Sequence, residues 1–520
     1  MKRYKYILAF ATLLIFSLTG CEKDFDKIND NPNQSLEAAT PALLSQAIRD
    51  IAYNNHDVWY MCRQSAVAAQ HFAQRNYTSE DRYSFRSGTT DGFFRNNYIY
   101  LNNLQKIINL NTGTDTKDKY AALYGENKMQ IAVAEIMKAW SFQLLTDYFG
   151  DIPYSQAMDL GKYPQPAYDS QKAVYDGLIS VLKKAVEDLS ASETGFATGD
   201  LLFNGDLDKW IKFANSLRLR LALRASKANA SYLTEARDAI ADGVMESNDD
   251  NAMCAFSTSG APNEAPLYNG YFVNNRNDFT FTAQFMELIK GNDYLSFVNP
   301  FKGLRDPRYT VFTTYTTNRN GVPYGMTDAQ TQQWWSGNSA SRISFLGRNP
   351  VFLHADYPAT FLDYPTVCFM VSEVEGWDAT TFQEGIEASI EKWGAAADAN
   401  YVTTVMQKFN AATPEAKKEM VLTQKYIHLL TQSHEAWAEY RRTGYPKSLV
   451  KPGGVTAVIG GANRTFDPIP GSESGSDIVA RFKYPTSEYT LNKANVEKAV
   501  AAMGEDTHKQ KLWWAGGGKQ

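Results

Sequence analysis

Along most of this chain apolar residues recur every three to four positions, in segments that come as pairs joined by short turns. That pattern constrains the fold more than any other feature. A helix with one apolar stripe must bury it, and a partner one short turn away makes an antiparallel hairpin. Helices are expected at 41–75, 91–111, 126–149, 171–190, 206–227, 231–244, 379–394 and 414–444. Pro41 suits a first helical turn. The segment 126–149 ends in "LLTDYFGDIPY", where Gly150 can take a left-handed terminal position and Pro153 blocks resumption. In "NSLRLRLALRAS", Leu217, Leu219, Leu221 and Leu223 alternate with arginines as a strand would. Trp210, Phe213, Ala214, Leu217 and Leu221 restore helical spacing and decide for a helix. Arg220 and Arg224 then lie one turn apart, placed to pair with acids on a neighbouring helix.

Between about 248 and 375 the periodicity gives way to Asn, Gly, Pro, Thr and aromatic residues, as in "YTTNRNGVPYGMTDAQTQQWWSGN". A glycine-rich stretch follows at 452–477. Long irregular segments on a rigid frame are usually where function sits.

The first residues follow other rules. Lys2, Arg3 and Lys5 precede an apolar run from Tyr6 to Thr19, shorter than the roughly 20 residues of a spanning helix. This has the form of a secretory signal. Its end, Leu18-Thr19-Gly20-Cys21, resembles a bacterial lipobox, in which the chain is cut before Cys21 and that cysteine is acylated (palmitate or similar chains). Residues 1–20 hold three cations and no acid, so the rest carries 49 Lys and Arg against 57 Asp and Glu, a formal −8. With no long basic run, that balance argues against a nucleic-acid partner. Cys62, Cys254 and Cys368 are few, odd in number and far apart, so small buried apolar roles are expected in place of a disulfide framework.

No catalyst is legible. The six histidines form no H-E-x-x-H pair, and no phosphate loop, dinucleotide fingerprint or CxxC occurs. "GSESG" at 471–475 has Glu473 where a nucleophile elbow needs serine. No cofactor is implied; the residues leave open whether a calcium ion holds a loop, although the EF-hand spacing fails near "DFDKINDN". The carboxylate pairs Glu373/Glu375 and Glu435/Glu439 are the one feature a glycosidase reading can use.

Several stretches together resemble the SusD/RagB-type outer-membrane nutrient-binding lipoproteins, in particular the SusD-like branch. They are "DFDKINDNPNQS" after Cys21, "AWSFQLLTDYFGDIPYSQA" at 139–157, "WIKFANSLRLRLALR" at 210–224 and "FQEGIEASIEKWG" at 382–394. "KYIHLLTQSHEAWAEYRRTGYP" at 425–446 is the most specific, followed by "ARFKYPTSEYTLNKANV" at 480–496 and "KLWW" at 511–514. One departure is "VSEVEGWDATT", which stands where the family has an A-E-A-rich helix. The resemblance implies a mainly α fold: a tetratricopeptide-like helix-pair scaffold with a large loop-rich ligand-binding face. It implies a signal peptide (1–20), a lipidated leash (21–40) and one domain (41–520), with the scaffold at 41–247 and 376–520 and a loop-rich subdomain at 248–375. The implied role is non-enzymatic. A lipid-anchored protein on the outer membrane of a Gram-negative bacterium captures oligosaccharides and passes them, as a lid, to a SusC-type TonB-dependent barrel transporter. Peptides are the alternative cargo, and a lipid-anchored glycoside hydrolase is the remote one.

A sugar ring offers an apolar C–H face and a hydroxyl rim, which aromatic rings and polar side chains complement. Two loop groups combine both. One holds Tyr77, Arg82, Tyr83 and Arg86; the other holds Tyr271, Asn274, Asn275, Arg276, Tyr315, Trp334 and Trp335. The Trp334–Trp335 pair leads, with the alternative that one of them plugs its loop onto the scaffold. Tyr148 and Trp437, on signature helices, are expected in the core.

Overall fold

The computed structural model describes residues 38–295, 297–313, 320–337 and 350–517. About 54% of the protein is helical, and its strands are few and short. The described residues open with α1 (Thr40–Asn55), a π-helical turn at Met61–Ala66 and β1 (Phe72–Gln74). Then come α2 (Ser87–Thr112), α3 (Lys117–Tyr124) and α4 (Asn127–Phe149). The antiparallel pair β2 (Ile152–Pro153) and β3 (Tyr168–Asp169) leads to α5 (Gln171–Ser190), α6 (Leu207–Ala225) and α7 (Tyr232–Ala241). Each long helix packs on the next: α1 on α2, α2 on α4, α4 on α5, α5 on α6 and α6 on α7.

The local reasons match the sequence. Helix α4 is buried on every side from Ala139 to Phe149, as its all-round apolar character requires. Gly150 ends it at φ +91°, its N–H donating to the Thr146 carbonyl at 2.8 Å. Asp206 caps α6 by accepting from the Lys209 N–H at 3.2 Å, and the Leu/Arg alternation within it is helical.

The second half contributes β4 (Ala252–Cys254), β5 (Phe279–Phe281), α8 (Ala283–Lys290) and α9 (Asp328–Gly337). After β6 (Ala359–Leu362) come α10 (Tyr364–Val374), α11 (Ala379–Lys392), α12 (Ala399–Asn410), α13 (Pro414–His428) and α14 (Ser433–Thr443). The hairpin β7 (Val455–Ile459) and β8 (Ala462–Thr465) precedes α15 (Lys493–Met503). Strands β1 and β5 pair antiparallel, as do β4 and β6. A second small core of Phe369, Phe382, Ile386, Val405 and Phe409 fills the space among α10, α11 and α12.

Three expectations of helix extent are corrected. The helix expected over 41–75 stops at Asn55, because Asp57 turns its carboxylate onto the N–H groups of Trp59 (3.0 Å) and Tyr60 (2.7 Å), competing with the helical ladder. The one expected over 414–444 breaks between His428 and Ser433. There Gln432 donates to Asp363 at 2.8 Å, a tertiary bond that an unbroken helix would not permit. The irregular stretch 248–375 contains α8 and α10, whose starts are capped by Thr282 and Asp363.

Arg220 and Arg224 pair with acids as expected. Arg224 contacts both Asp147 of α4 and Glu435 of α14, and lies 3.4 Å from Glu439. Arg220 stands 3.5 Å from Glu435. Glu439 also takes Lys425 (2.8 Å) and Arg442 (2.7 Å), and Arg442 reaches Glu373 at 2.6 Å. Asp147 further accepts from Tyr175 Oη at 2.5 Å and Trp514 Nε1 at 2.9 Å. Burial alone would raise the Glu435 carboxyl; Arg220 and Arg224 overcome it and hold the group at about 2. Tyr148 and Trp437 are core residues in edge-to-face contact at 5.2 Å, and the three cysteines are buried and free.

Candidate ligand-binding face

The β1–β5 pairing, with Gln74 opposite Phe279, brings the loop after β1 beside the loop before β5. Arg75 continues the ladder: its N–H donates to Asp278 O at 2.6 Å, and its guanidinium to Asn277 O at 2.9 Å. The backbone N–H of Thr78 donates to Asp328 at the start of α9 at 2.9 Å. Three segments widely separated in sequence, 75–86, 266–278 and 328–337, therefore meet at one place.

A fourth segment joins them. Asp57 holds the turn that presents Trp59, and burial pushes its carboxyl up to about 7 against the pull of the two N–H groups and Arg63. Gly270 lets this turn dock: a Cβ there would fall 2.5 Å from Val58 Cγ2. Trp59 remains 38% exposed. The buried Arg63 guanidinium lies 4.8 Å from the Trp59 ring centroid and 5.9 Å from that of Phe279 beneath it. Arg276 lies 5.1 Å from the same Trp59 centroid. Glu80 accepts from Arg63 and from the half-exposed Arg86, each at 2.9 Å, and from Gln74 Nε2 at 2.7 Å.

Of the expected contact residues, Tyr77 is open, 59% exposed at φ +59°. Asn274 and Asn275 are exposed, and Asn274 donates to Asn269 at 2.6 Å. Arg276 and Arg86 sit as described, while Arg82 turns to the Asp467 carbonyl at 3.0 Å. Two expectations are corrected. Tyr83 (0% exposed) packs edge-on to Phe466 at 5.1 Å, and Tyr271 (3% exposed) donates to Phe279 O at 2.8 Å. Their rings are spent on seating the loops, so neither presents a face to a ligand. Trp334 is half-buried against the main core, which fits the plug alternative. The side chain of Trp335, Tyr315 and the lipobox Cys21 lie outside the described residues.

Sequence reasoning missed Trp59, Arg63, Glu80 and Phe272. Trp59 falls within the helix expected over 41–75 but beyond its end at Asn55; the signal is "NNHD", four helix-poor residues just upstream. Phe272 stands exposed beside Tyr268 and Tyr271 in the turn at 266–273. The Glu435/Glu439 pair is buried in the ionic network and faces no cleft, and Glu373 is bound to Arg442. Among the described residues no cluster of three potential metal ligands occurs.

The sequence model of the SusD-like family, described as "Starch-binding associating with outer membrane", matches residues 32–485. A solved chitin-binding protein is 26% identical, spans 92% of this chain and 99% of its own, and superposes with a TM-score of 0.71. A chitin-binding SusD homolog from Flavobacterium johnsoniae (23% identity, 91% and 98% coverage, TM-score 0.72) shares the fold. So does a SusD homolog from Bacteroides uniformis (23%, 91% and 99%, 0.70). No curated protein matches the chain.

Proposed function

The chain belongs to the SusD-like family, and from that premise we propose that it binds nutrient oligosaccharides at the cell surface and passes them, as a lid, to a SusC-type TonB-dependent barrel. One observation carries the choice of face: three separate segments converge to expose Tyr77, Phe272 and part of Trp59 among the polar groups of Asn274, Asn275, Arg276 and Arg86. Exposed rings take the apolar face of a sugar, and amides and guanidiniums take its hydroxyl rim. Binding of this kind needs no covalent chemistry, and of the paired carboxylates that a hydrolase would use, Glu373, Glu435 and Glu439 are tied up in ion pairs.

Acylation at Cys21 supplies the membrane attachment in this reading, since no helix among the described residues is long and apolar enough to cross a bilayer. The acids Glu22, Asp24 and Asp26 are the tag that directs the anchored protein outward. The family description, association with the outer membrane, supports that location.

The test is a binding screen of the full-length chain in detergent against oligosaccharides and peptides. Retention of oligosaccharides, weakened about tenfold (about 1.4 kcal/mol) in the Tyr77→Ala/Phe272→Ala double variant, is the expected outcome. Peptide retention without glycan retention would transfer the cargo to peptides, and turnover of a bound glycan would restore the hydrolase reading.

A further inference from the structure

The rings of this face are not equally available. From the core outward the order is Phe279, Arg63, Trp59, Arg276. Phe279 and Arg63 are buried, Trp59 is part-exposed and Arg276 is half-buried. Arg63 already fills the space between Phe279 and the inner side of the indole. Two guanidiniums repel when they crowd one ring face, so Arg276 is assigned the outer side. The stack thus ends in a planar cation where a sugar would otherwise meet an indole. Tyr77 and Phe272 are left as the free ring surfaces.

The cations of this face are unevenly partnered. One carboxylate, Glu80, is shared by Arg63 and Arg86. Asp81, next to it, is buried, and burial pushes its carboxyl well above the usual range. Asp57 spends its carboxylate on the Trp59 and Tyr60 amides. Arg75 lies against Asn277 and Asp278, and Asp328 is bound to the Thr78 amide. Arg276 has no carboxylate within ion-pair distance among the described residues. Arg276 is thus the cation of this face left without an acidic partner, and Arg86 shares its partner with Arg63.

A guanidinium with no carboxylate partner keeps its N–H donors for a ligand, and its planar fork grips a two-oxygen anion. We infer that the ligand of this face carries an acidic group, a sugar carboxylate or sulfate, and that Arg276 reads it. This rests on the oligosaccharide reading above and adds to it the charge of the cargo.

The experiment is titration calorimetry of the full-length chain in detergent with matched pairs of probes. The carboxylate arm sets oligogalacturonides against their methyl esters, and the sulfate arm sets chondroitin sulfate oligosaccharides against desulfated ones. Chito- and malto-oligosaccharides serve as neutral controls. An acidic member is expected to bind at least about tenfold tighter than its neutral partner, with the advantage shrinking as salt rises from about 0.05 to 0.5 M. The arm that responds identifies the acidic group. Arg276→Gln should abolish the preference, so that the acidic and neutral members of a pair bind within about twofold of each other. Arg86→Gln, at a half-exposed side chain, should reduce the preference in part, and it stands in for Arg276→Gln should that variant fail to fold. Tight binding of neutral oligosaccharides only, or an acidic preference that survives Arg276→Gln, overturns this inference and leaves the oligosaccharide reading intact. Failure of every oligosaccharide to bind overturns both.

Discussion

At the scale of single residues, the face separates rings that meet solvent from rings that build the wall behind it. Tyr77 and Tyr271 stand in neighbouring loops, yet one is open and the other buried with its hydroxyl on the Phe279 carbonyl. Their variants should behave in opposite ways. Tyr77→Ala is expected to weaken oligosaccharide binding several-fold with an unchanged melting temperature, because little packing is lost. Tyr271→Phe is expected to lower stability by about 1 kcal/mol, the worth of one buried hydrogen bond, and to hold affinity within about twofold. Calorimetry and thermal melts on both proteins check the contrast. The sequence placed all four of Tyr77, Tyr83, Tyr271 and Arg276 in loops of mixed aromatic and polar character, and composition carries no more than that. Which tyrosine turns inward is decided by contacts far away in sequence, such as Tyr83 with Phe466.

At the scale of elements, the helices of the first half were legible nearly to their ends, since 3.6-residue periodicity, caps and Gly150 all act locally. Where an end is set by a distant partner it was not legible. The break between α13 and α14 depends on Gln432 meeting Asp363, and α10 was hidden in a stretch whose Asn, Pro and aromatic content looked irregular. The convergence of the binding loops depends on the three-residue pairing of β1 with β5, too short to leave a period-2 signature. The turn carrying Trp59 makes the element-scale prediction. Asp57→Ala removes the acceptor for two backbone N–H groups, a cap worth about 1 kcal/mol. Hydrogen exchange at the Trp59 and Tyr60 amides should accelerate about fivefold, the factor that corresponds to that energy, while amides within α4 keep their protection. Equal acceleration throughout would show that Asp57 supports the whole fold and not one turn.

At the scale of the molecule, buried ionisable groups give stability a definite pH profile. Burial holds the imidazoles of His56, His71 and His434 down to about 4, 3 and 3, against an ordinary 6.5. Because the unfolded chain takes up these protons first, the stability they represent is complete above about pH 6.5 and drains away as pH falls towards 3–4. Glu435, held at about 2 against an ordinary 4.5, adds a second loss below pH 4.5, with the same sign. Asp57 and Asp151, pushed up to about 7 and 6, act with the opposite sign and offset part of the histidine loss, so the melting temperature should decline gently from about pH 6.5 and more steeply below 4.5; a rise between pH 6.5 and 4 would contradict this. The ionic network has a further consequence, for the time order in which the protein becomes whole. Asp147 receives its last partner from Trp514, 367 residues downstream. A chain still emerging from a ribosome or threading through a membrane can build its early hairpins, yet it must leave that carboxylate short of one donor until residue 514 arrives. Completion of the network is thereby a check that the chain has been delivered as far as residue 514, and a product cut short before it would leave Asp147 without one donor where α4, α6 and α14 meet.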